Sequence, residues 1–296
     1  MAEVVTYDEQ GTPHIRLSYT AVKAWSCPKR FWFSNVEMLK PKERVQYFDV
    51  GQLGHAGLAR YFHPSVLHLS PEDRYRLARA EVVALFEKDF APKGASREVL
   101  EEVLNVLPAV MQAKIKTVPV STEEWLERPI TTPEFIVDFV GKIDITSILG
   151  KDLYVEEHKF LDARGFGEYR ALQHQESMQT KGYVFLTQGL KRSVKGVIHN
   201  FFLKMKSPKL EQRITLVGPR DLNRFERNLI DVAREVHSAH KNNHWRENLD
   251  DCYGYSKCPF VTLCEFGDNE EIRKAKFEKR EPRDKSMTVE QQAEAA

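Results

Sequence analysis

A strand–turn–strand pattern in the middle of the chain restricts the possible folds more than any other feature. Residues 141–149 and 152–160 are rich in branched and aromatic side chains, which β-strands favour, and a short Gly150-Lys151 turn separates them. Two strands joined by so short a turn pair with each other as a hairpin. We therefore expect a β-hairpin here, with side chains that alternate between its two faces.

Two acidic residues and a lysine within this hairpin indicate its chemistry. Asp144 and Glu157 can converge across the two strands, and Lys159 lies on the same strand face as Glu157. Two carboxylates and an ammonium group at one edge of a sheet suit a divalent metal and a water nucleophile, as phosphodiester hydrolysis requires. The alternative is a pair of solvated strand faces. Glu156 should point to the opposite face, and we assign it no catalytic role.

Three further residues are candidates for the same site. His55 follows Gly51 and Gly54 at a predicted helix start, where it is either an ordinary packed histidine or a metal ligand. Gln179 and Tyr183 are spaced by four residues on a predicted helix, so they share one face. Their amide and phenol groups either hold a phosphate or order Lys159, or they are a surface glutamine beside a packed tyrosine.

The flanking segments predict an α/β fold. Hydrophobic periodicity and capping residues indicate several helices within residues 17–120, further helices over 168–189 and 219–240, and strands over 134–149, 152–160 and 195–206. Such an order of strands and helices forms an α/β core, here a mixed central sheet flanked by helices.

These elements predict one folded domain over residues 17–267. We expect it to contain a mainly helical part (17–120), the catalytic α/β core (134–206) and a helix followed by a cysteine cluster (219–267). Residues 1–16 are predicted to be flexible. Residues 268–296 are charged and poor in large apolar side chains, and we expect them to form a mobile tail.

The composition is that of a soluble globular protein, with 42% hydrophobic and 29% charged residues among 296. No apolar run approaches the roughly 18 residues of a membrane-spanning helix, and the N-terminal residues lack the pattern of a secretion signal. We expect no membrane partner and a cytoplasmic location, which would be the host cytoplasm if a phage encodes the protein. The net charge of +1 means that any attraction for DNA must come from local patches.

The four cysteines are unevenly distributed. Cys252, Cys258 and Cys264 lie within thirteen residues, whereas Cys27 is near the other end of the chain. In a reducing compartment disulfides are not expected. Four thiolates can bind a [4Fe-4S] cluster or Zn²⁺, and buried free thiols that only pack are the third possibility.

The order of these motifs resembles the PD-(D/E)xK nuclease superfamily, and within it the RecB-like exonucleases and their CRISPR-adaptation relatives. The resemblance covers roughly residues 17–265, and it rests on residues 17–20, 27–32, 54–55, 141–144, 157–159 and 179–183 together with the terminal cysteines. It implies a restriction-endonuclease-like core. One early and three late cysteines resemble the iron–sulfur clasp of such nucleases, which implies that Cys27, Cys252, Cys258 and Cys264 hold a [4Fe-4S] cluster.

The resemblance also implies roles for the site residues. Asp144, Glu157 and the backbone carbonyl of His158 would hold Mg²⁺ or Mn²⁺, with His55 as an additional ligand; imidazole favours Mn²⁺. Lys159 would orient or deprotonate the attacking water and offset charge in the transition state. The catalytic set would be completed by Gln179 and Tyr183. Phe160 departs from the small polar residue that the family often has after the lysine.

The resemblance thus implies a metal-dependent deoxyribonuclease, with exonuclease action on single-stranded DNA ends, in recombination, repair, phage DNA processing or CRISPR adaptation. Residues 27–33 mix cations with aromatic side chains, as single-stranded DNA sites do. The alternative for these aromatics is a place in the core. Two other functions stay open: a catalytically weak DNA-binding or assembly subunit, and a cysteine-ligated zinc or redox protein.

Overall fold

Nineteen strands and α-helices follow one another in the computed structural model, which describes residues 4–188, 194–253 and 257–280. In chain order they are β1 (Val5–Tyr7), β2 (Pro13–Ser18), α1 (Tyr19–Ala24), α2 (Pro28–Phe31), β3 (Leu39–Pro41), α3 (Gln46–Tyr61), α4 (Pro71–Leu85), α5 (Arg97–Val106), β4 (Val118–Thr131), β5 (Ile136–Leu149), β6 (Asp152–Asp162), α6 (Glu168–Gln175), α7 (Met178–Gln188), β7 (Val194–Lys204), β8 (Lys209–Leu216), α8 (Pro219–Asn242), α9 (Val261–Glu265), α10 (Glu270–Lys276) and β9 (Phe277–Lys279).

The chain divides into two compact units rather than the single domain expected for residues 17–267. The first unit comprises Met1–Arg44, Glu127–Val140 and Glu226–Ala296, and the second comprises Val45–Leu126 and Gly141–Phe225. The chain passes from the first unit to the second within β5. Sequence patterns could not reveal this division, because the first unit is assembled from three separate segments.

The predicted hairpin lies in the second unit and belongs to a mixed sheet flanked by helices, as expected. Strands β5 and β6 pair antiparallel, with Ile145 opposite Glu156. Strand β6 then runs parallel to β7, and β7 pairs antiparallel with β8. The parallel step requires a long crossover between β6 and β7, which α6 and α7 provide.

Helices α3, α4 and α5 form the main apolar cluster of the second unit. Helix α4 begins in the standard way, since Ser70 caps the backbone N–H of Asp73 and Pro71 occupies the first helical position. The helices bury one side each against the others and against the sheet residue Phe202, through a cluster that includes Val50, Leu53, Leu58, Val82, Phe86, Val103 and Leu107. This packing fixes α3, which carries His55.

The first unit has its own strands and its own apolar cluster. Strand β1 pairs antiparallel with β2, and β2 runs parallel to the opening residues of β5. Ser18 caps α1, as its type predicts. Strands β3 and β9 form a separate antiparallel pair, and beside it lies a cluster of Phe33, Leu39, Cys258, Phe260, Val261, Leu263 and Phe277.

Both predictions of mobile ends are wrong for the residues that the structure describes. Residues 5–7 and 13–16, expected to be flexible, belong to β1 and β2. Residues 270–279, expected to be part of a tail, form α10 and β9, because Phe277 is an apolar anchor that is only 4% exposed. The rest of the predicted tail, residues 281–296, lies outside the described residues.

Two further differences concern the central elements. The helix predicted over 168–189 is two helices, which separate at Glu176 and Ser177. The long strand β4 was not predicted, because its residues include two prolines and four glutamates or arginines in place of a clear alternation. Across the described residues, no helix has the length and apolar character needed to cross a membrane.

Candidate metal centre

The predicted site residues converge in the second unit, from four different elements. The carboxylate of Asp144 comes from β5 and that of Glu157 from β6. Helix α3 contributes the imidazole of His55. The remaining members are Lys159 on β6 and the pair Gln179 and Tyr183 on α7.

Asp144 lies between the hairpin backbone and His55. Its Oδ2 accepts a hydrogen bond from the backbone N–H of His158 at 3.1 Å and lies 3.2 Å from Nδ1 of His55. The second contact is close enough for an ion pair but misaligned for a hydrogen bond, so His55 Nδ1 has no hydrogen-bond partner among the described residues. The hairpin register therefore places Asp144 where we predicted it, beside the strand that carries Glu157.

Asp144 and His55 hold each other in their charged forms. Burial acts to raise the pKa of Asp144, but its contacts with His55 and the charges of His158 and Lys159 together outweigh burial and hold that pKa well below its usual range. For His55, burial acts to lower the pKa, and its contacts with Asp144 together with the charge of Glu157 raise it. The two side chains are half-buried, and each favours the charged form of the other.

Glu157 is only 4% exposed, its charge acts on His55, and the charge of Asp144 acts on it. Its Oε1 forms an ion pair with the ammonium group of Lys159. Its Oε2 is buried without a hydrogen-bond partner among the described residues. Burial raises the pKa of Glu157, and the negative charge of Asp144 adds to this, although Lys159 opposes it.

A short chain of hydrogen bonds orients Lys159. Its Nζ donates to Oε1 of Gln179 at 3.1 Å, and the Gln179 amide nitrogen donates to the hydroxyl of Tyr183 at 2.7 Å. Burial raises the pKa of Tyr183 well above its usual value, and the carboxylate of Glu157 adds to this, so the phenol stays neutral. Of the alternatives left open for Gln179 and Tyr183, this arrangement is the one in which they order the lysine.

The side chains of Glu156 and His158 lie on the other face of β6. Glu156 accepts hydrogen bonds from Thr117 Oγ1 at 2.7 Å and from Asn200 Nδ2 at 2.8 Å, which satisfies it within the core. Burial lowers the pKa of His158 to about 4, so its imidazole is neutral. The backbone N–H of His158 donates to Asp144, and its carbonyl stays the predicted ligand.

Phe160, the departure from the family pattern, has a packing role. Its ring stacks on Phe202 with centroids 5.1 Å apart, and it meets the ring of His55 edge-on at 5.9 Å. A Cβ atom placed on Gly54 would lie only 2.3 Å from this ring. Gly54 therefore lets α3 approach β6 closely, which brings His55 to Asp144.

The sequence did not identify Glu123, which joins this group. Its carboxylate, the imidazole of His55 and the carboxylate of Asp144 each offer a ligand atom within 4.8 Å of the others. Glu123 lies on β4 with a left-handed backbone conformation (φ +57°) and forms an ion pair with Lys142 of β5. No motif marks it, and it lies in a strand that the sequence did not predict.

The donor set fits a hard or borderline divalent cation. Such ions take carboxylate and carbonyl oxygens, and imidazole is a further common ligand for Mn²⁺. Glu157 Oε2 is a buried ligand atom without a hydrogen-bond partner among the described residues, whereas His55 Nδ1 faces Asp144 at 3.2 Å. Buried polar atoms of this kind are rare unless an ion or water satisfies them.

All four cysteines belong to the first unit. Cys258 donates its backbone N–H to the carbonyl of Cys252 at 2.8 Å, and the thiol of Cys27 accepts from the backbone of Asn248 at 3.4 Å. Burial raises the pKa of Cys252, Cys258 and Cys264, to about 12 for Cys264; negative charge on the neighbouring cysteines adds to each shift. The four thiols are therefore neighbours.

The aromatic residues proposed for stacking on DNA bases are largely internal. Phe31 and Phe33 are fully buried, and Phe31 stacks on Trp245 with centroids 6.1 Å apart. Trp32 is covered on one face by the ammonium of Lys29, 4.4 Å from its centroid. Phe31 and Phe33 therefore agree with the alternative interpretation, in which these aromatic side chains face the core.

Comparisons with known proteins give one informative likeness. No family model and no curated protein matches the chain. Among solved structures, the chain is similar to a protein of Eubacterium rectale described as a "putative exonuclease", with a TM-score of 0.50 and 12% identity over 86% of this chain and 94% of that one. It is also similar to SSO0001, with a TM-score of 0.34 and 14% identity over 77% and 78% of the two chains. The first likeness shows a shared fold; the second carries no argument.

Proposed function

We propose that this protein is a metal-dependent deoxyribonuclease, acting as an exonuclease on single-stranded DNA ends. The observation that carries the proposal is the convergence of Asp144, Glu157 and Lys159 with His55, in which Oε2 of Glu157 is buried without a hydrogen-bond partner among the described residues. The fold shared with the E. rectale protein supports the nuclease class. The preference for ends rests on that protein's name and on the resemblance of the motifs, and the preference for single strands rests on that resemblance alone.

Asp144, Glu157, His55 and the carbonyl of His158 would hold Mg²⁺ or Mn²⁺. When bound, the cation would lower the pKa of a water molecule and polarise the scissile phosphate. The carboxylates must be ionised for this, and the raised pKa of Glu157 means that its proton has to leave. The proton of His55 must leave its ligating nitrogen for the same reason.

Lys159 would act on the reacting groups directly. Its ammonium is fixed between Glu157 and Gln179, so it can hold the attacking water and stabilise negative charge on the phosphate oxygens without reorganisation. Gln179 positions the lysine, and Tyr183, kept neutral by burial, fixes the orientation of the amide. The biological settings that suit such an activity are recombination, repair, phage DNA processing and CRISPR adaptation.

The test is DNA cleavage by the purified protein and by two matched lysine variants. We expect Mg²⁺ or Mn²⁺ to support release of nucleotides from labelled single-stranded DNA, and Lys159→Ala to lower the rate by at least about 100-fold. Lys151→Ala, in the exposed hairpin turn, is the control and should retain the rate. Cleavage that persists in Lys159→Ala would contradict the mechanism, and DNA binding without cleavage would favour the assembly-subunit function.

We also propose that Cys27, Cys252, Cys258 and Cys264 hold a [4Fe-4S] cluster. Among the described residues, no three of the four thiols lie within 4.8 Å of one another. The cluster assignment rests on the resemblance of one early and three late cysteines to the iron–sulfur clasp, and Zn²⁺ held by the four thiolates is the alternative.

A further inference from the structure

We propose that Glu123 is an additional ligand of the divalent cation, supplied by β4; the inference rests on the proposed nuclease site. Neither the hairpin nor the helix motifs include this residue. It would add a third carboxylate to Asp144 and Glu157. The cation would then be held from three strands as well as from α3.

The distances fit a single ion. Ligand atoms of His55, Glu123 and Asp144 all lie within 4.8 Å of one another. Mg²⁺ holds oxygen ligands at about 2.0–2.1 Å, so two ligands of one such ion lie at most about 4.2 Å apart. Small movements of the side chains would bring the three groups onto one ion.

Buried atoms in the same place point to a missing ligand. Glu157 is 4% exposed, and its Oε2 has no hydrogen-bond partner among the described residues. Its charge acts on His55, and the charge of Asp144 acts on Glu157 in turn, so the three groups share one site. Glu157 Oε2 is therefore a further carboxylate oxygen that a cation beside Asp144 would satisfy.

The ordinary interpretation of Glu123 is a surface ion pair with Lys142. Exposed ion pairs contribute little to stability, whereas a left-handed backbone conformation is unfavourable for a residue with a Cβ atom. The φ of +57° at Glu123 is therefore poorly explained by that ion pair. The two interpretations also predict different Mn²⁺ affinities when Glu123 or Lys142 is replaced.

Mn²⁺ binding, followed by the electron paramagnetic resonance signal of the free ion, separates the two interpretations. In the full-length protein we expect Glu123→Gln to weaken Mn²⁺ binding by at least about 10-fold, since even indirect partners of a metal contribute that much. Glu124→Gln, the neighbouring carboxylate on the same strand, is the control and should bind as the unmodified protein does. Lys142→Met should bind Mn²⁺ at least as tightly, because it removes a competing positive charge.

The outcomes for the inference and for the proposed function are distinct. If the unmodified protein binds Mn²⁺ and Glu123→Gln binds it equally well, Glu123 is not a ligand. That result would not contradict the proposed nuclease site. No Mn²⁺ binding by the unmodified protein would overturn the nuclease proposal itself. If Glu123→Gln does not fold, as circular dichroism would reveal, Lys142→Met decides: binding weakened 10-fold or more would overturn the inference.

Discussion

His55 and Asp144 form the electrostatic centre of the metal-free site. Each is half-buried, and each favours the charged form of the other against the effect of burial. Removal of one partner of such a pair lowers the stability of a protein, because the remaining charge has no opposite charge beside it. A bound cation would change the charge of the same two groups, because it would interact with the Asp144 carboxylate and displace the proton of His55.

This pair predicts how the stability of the metal-free protein changes with pH. The pKa of His55 is raised on folding, so its contribution is fully present below the unfolded value of 6.5 and is lost as the pH rises through the higher folded value. We therefore expect His55→Gln to reduce the loss of stability that accompanies a rise in pH above 6.5. The comparison is made by urea unfolding in the presence of a chelator.

The other histidines do not affect the difference in pH dependence, because they are present both in His55→Gln and in the unmodified protein. Replacement of the exposed His63 by Gln is a matched control that should keep the pH dependence of the unmodified protein. Identical slopes in His55→Gln and the unmodified protein would show that the imidazole is neutral in the folded state. The Asp144–His55 ion pair would then not exist in solution.

Predictability from the sequence differs sharply among these residues. Asp144, Glu157 and Lys159 were predicted together because a two-residue period and a tight turn fix which strand faces meet. Glu123 had no such support, since a left-handed residue interrupts the alternation of β4. Its position depends on strand pairing that local pattern does not encode.

At the scale of elements, the contact between α3 and β6 determines the position of His55. Gly54 and Phe160 form this contact, and the stacking of Phe160 on Phe202 leaves the ring little freedom to move aside. Gly51, three residues earlier in the same helix, has open space where a Cβ atom would be. The two glycines therefore provide a matched pair of substitutions.

We expect Gly54→Ala to destabilise the protein by about 1–3 kcal/mol, as overpacking commonly does. It should also weaken Mn²⁺ binding, because α3 has to move away from β6. Gly51→Ala should instead stabilise the protein by up to about 1 kcal/mol, since alanine favours helix and meets no neighbour. Chemical unfolding and Mn²⁺ titration of both variants check this, and equal stability of the two would contradict the close approach.

The elements were predicted best where the sequence carries a clear period. The hairpin, β7 and α8 were found close to their observed bounds, because alternation or a helical apolar stripe runs through each. Strand β4 was missed, and the helix over 168–189 was not divided. Both errors arise where tertiary pairing, and not local preference, determines the element.

At the scale of the whole molecule, each unit contains one chemical centre. The second unit holds the carboxylates and His55, and the first holds the four cysteines. The cysteines come from two distant segments of the chain, residues 27 and 252–264, so a cluster would close a very long loop. Cross-links over long loops restrict the unfolded chain most, which predicts a contribution of several kcal/mol to stability.

We expect the protein purified without oxygen to contain about four irons per chain and to absorb broadly near 400 nm, roughly as thiolate-bound clusters do. Cys258→Ser should lose most of the iron and unfold at a lower temperature, because the first unit loses its cross-link. Thr262→Ser is the control. This residue lies in α9, four positions after Cys258, and the variant should retain both iron and stability. One zinc per chain without iron would contradict the cluster assignment and favour a zinc site of four thiolates.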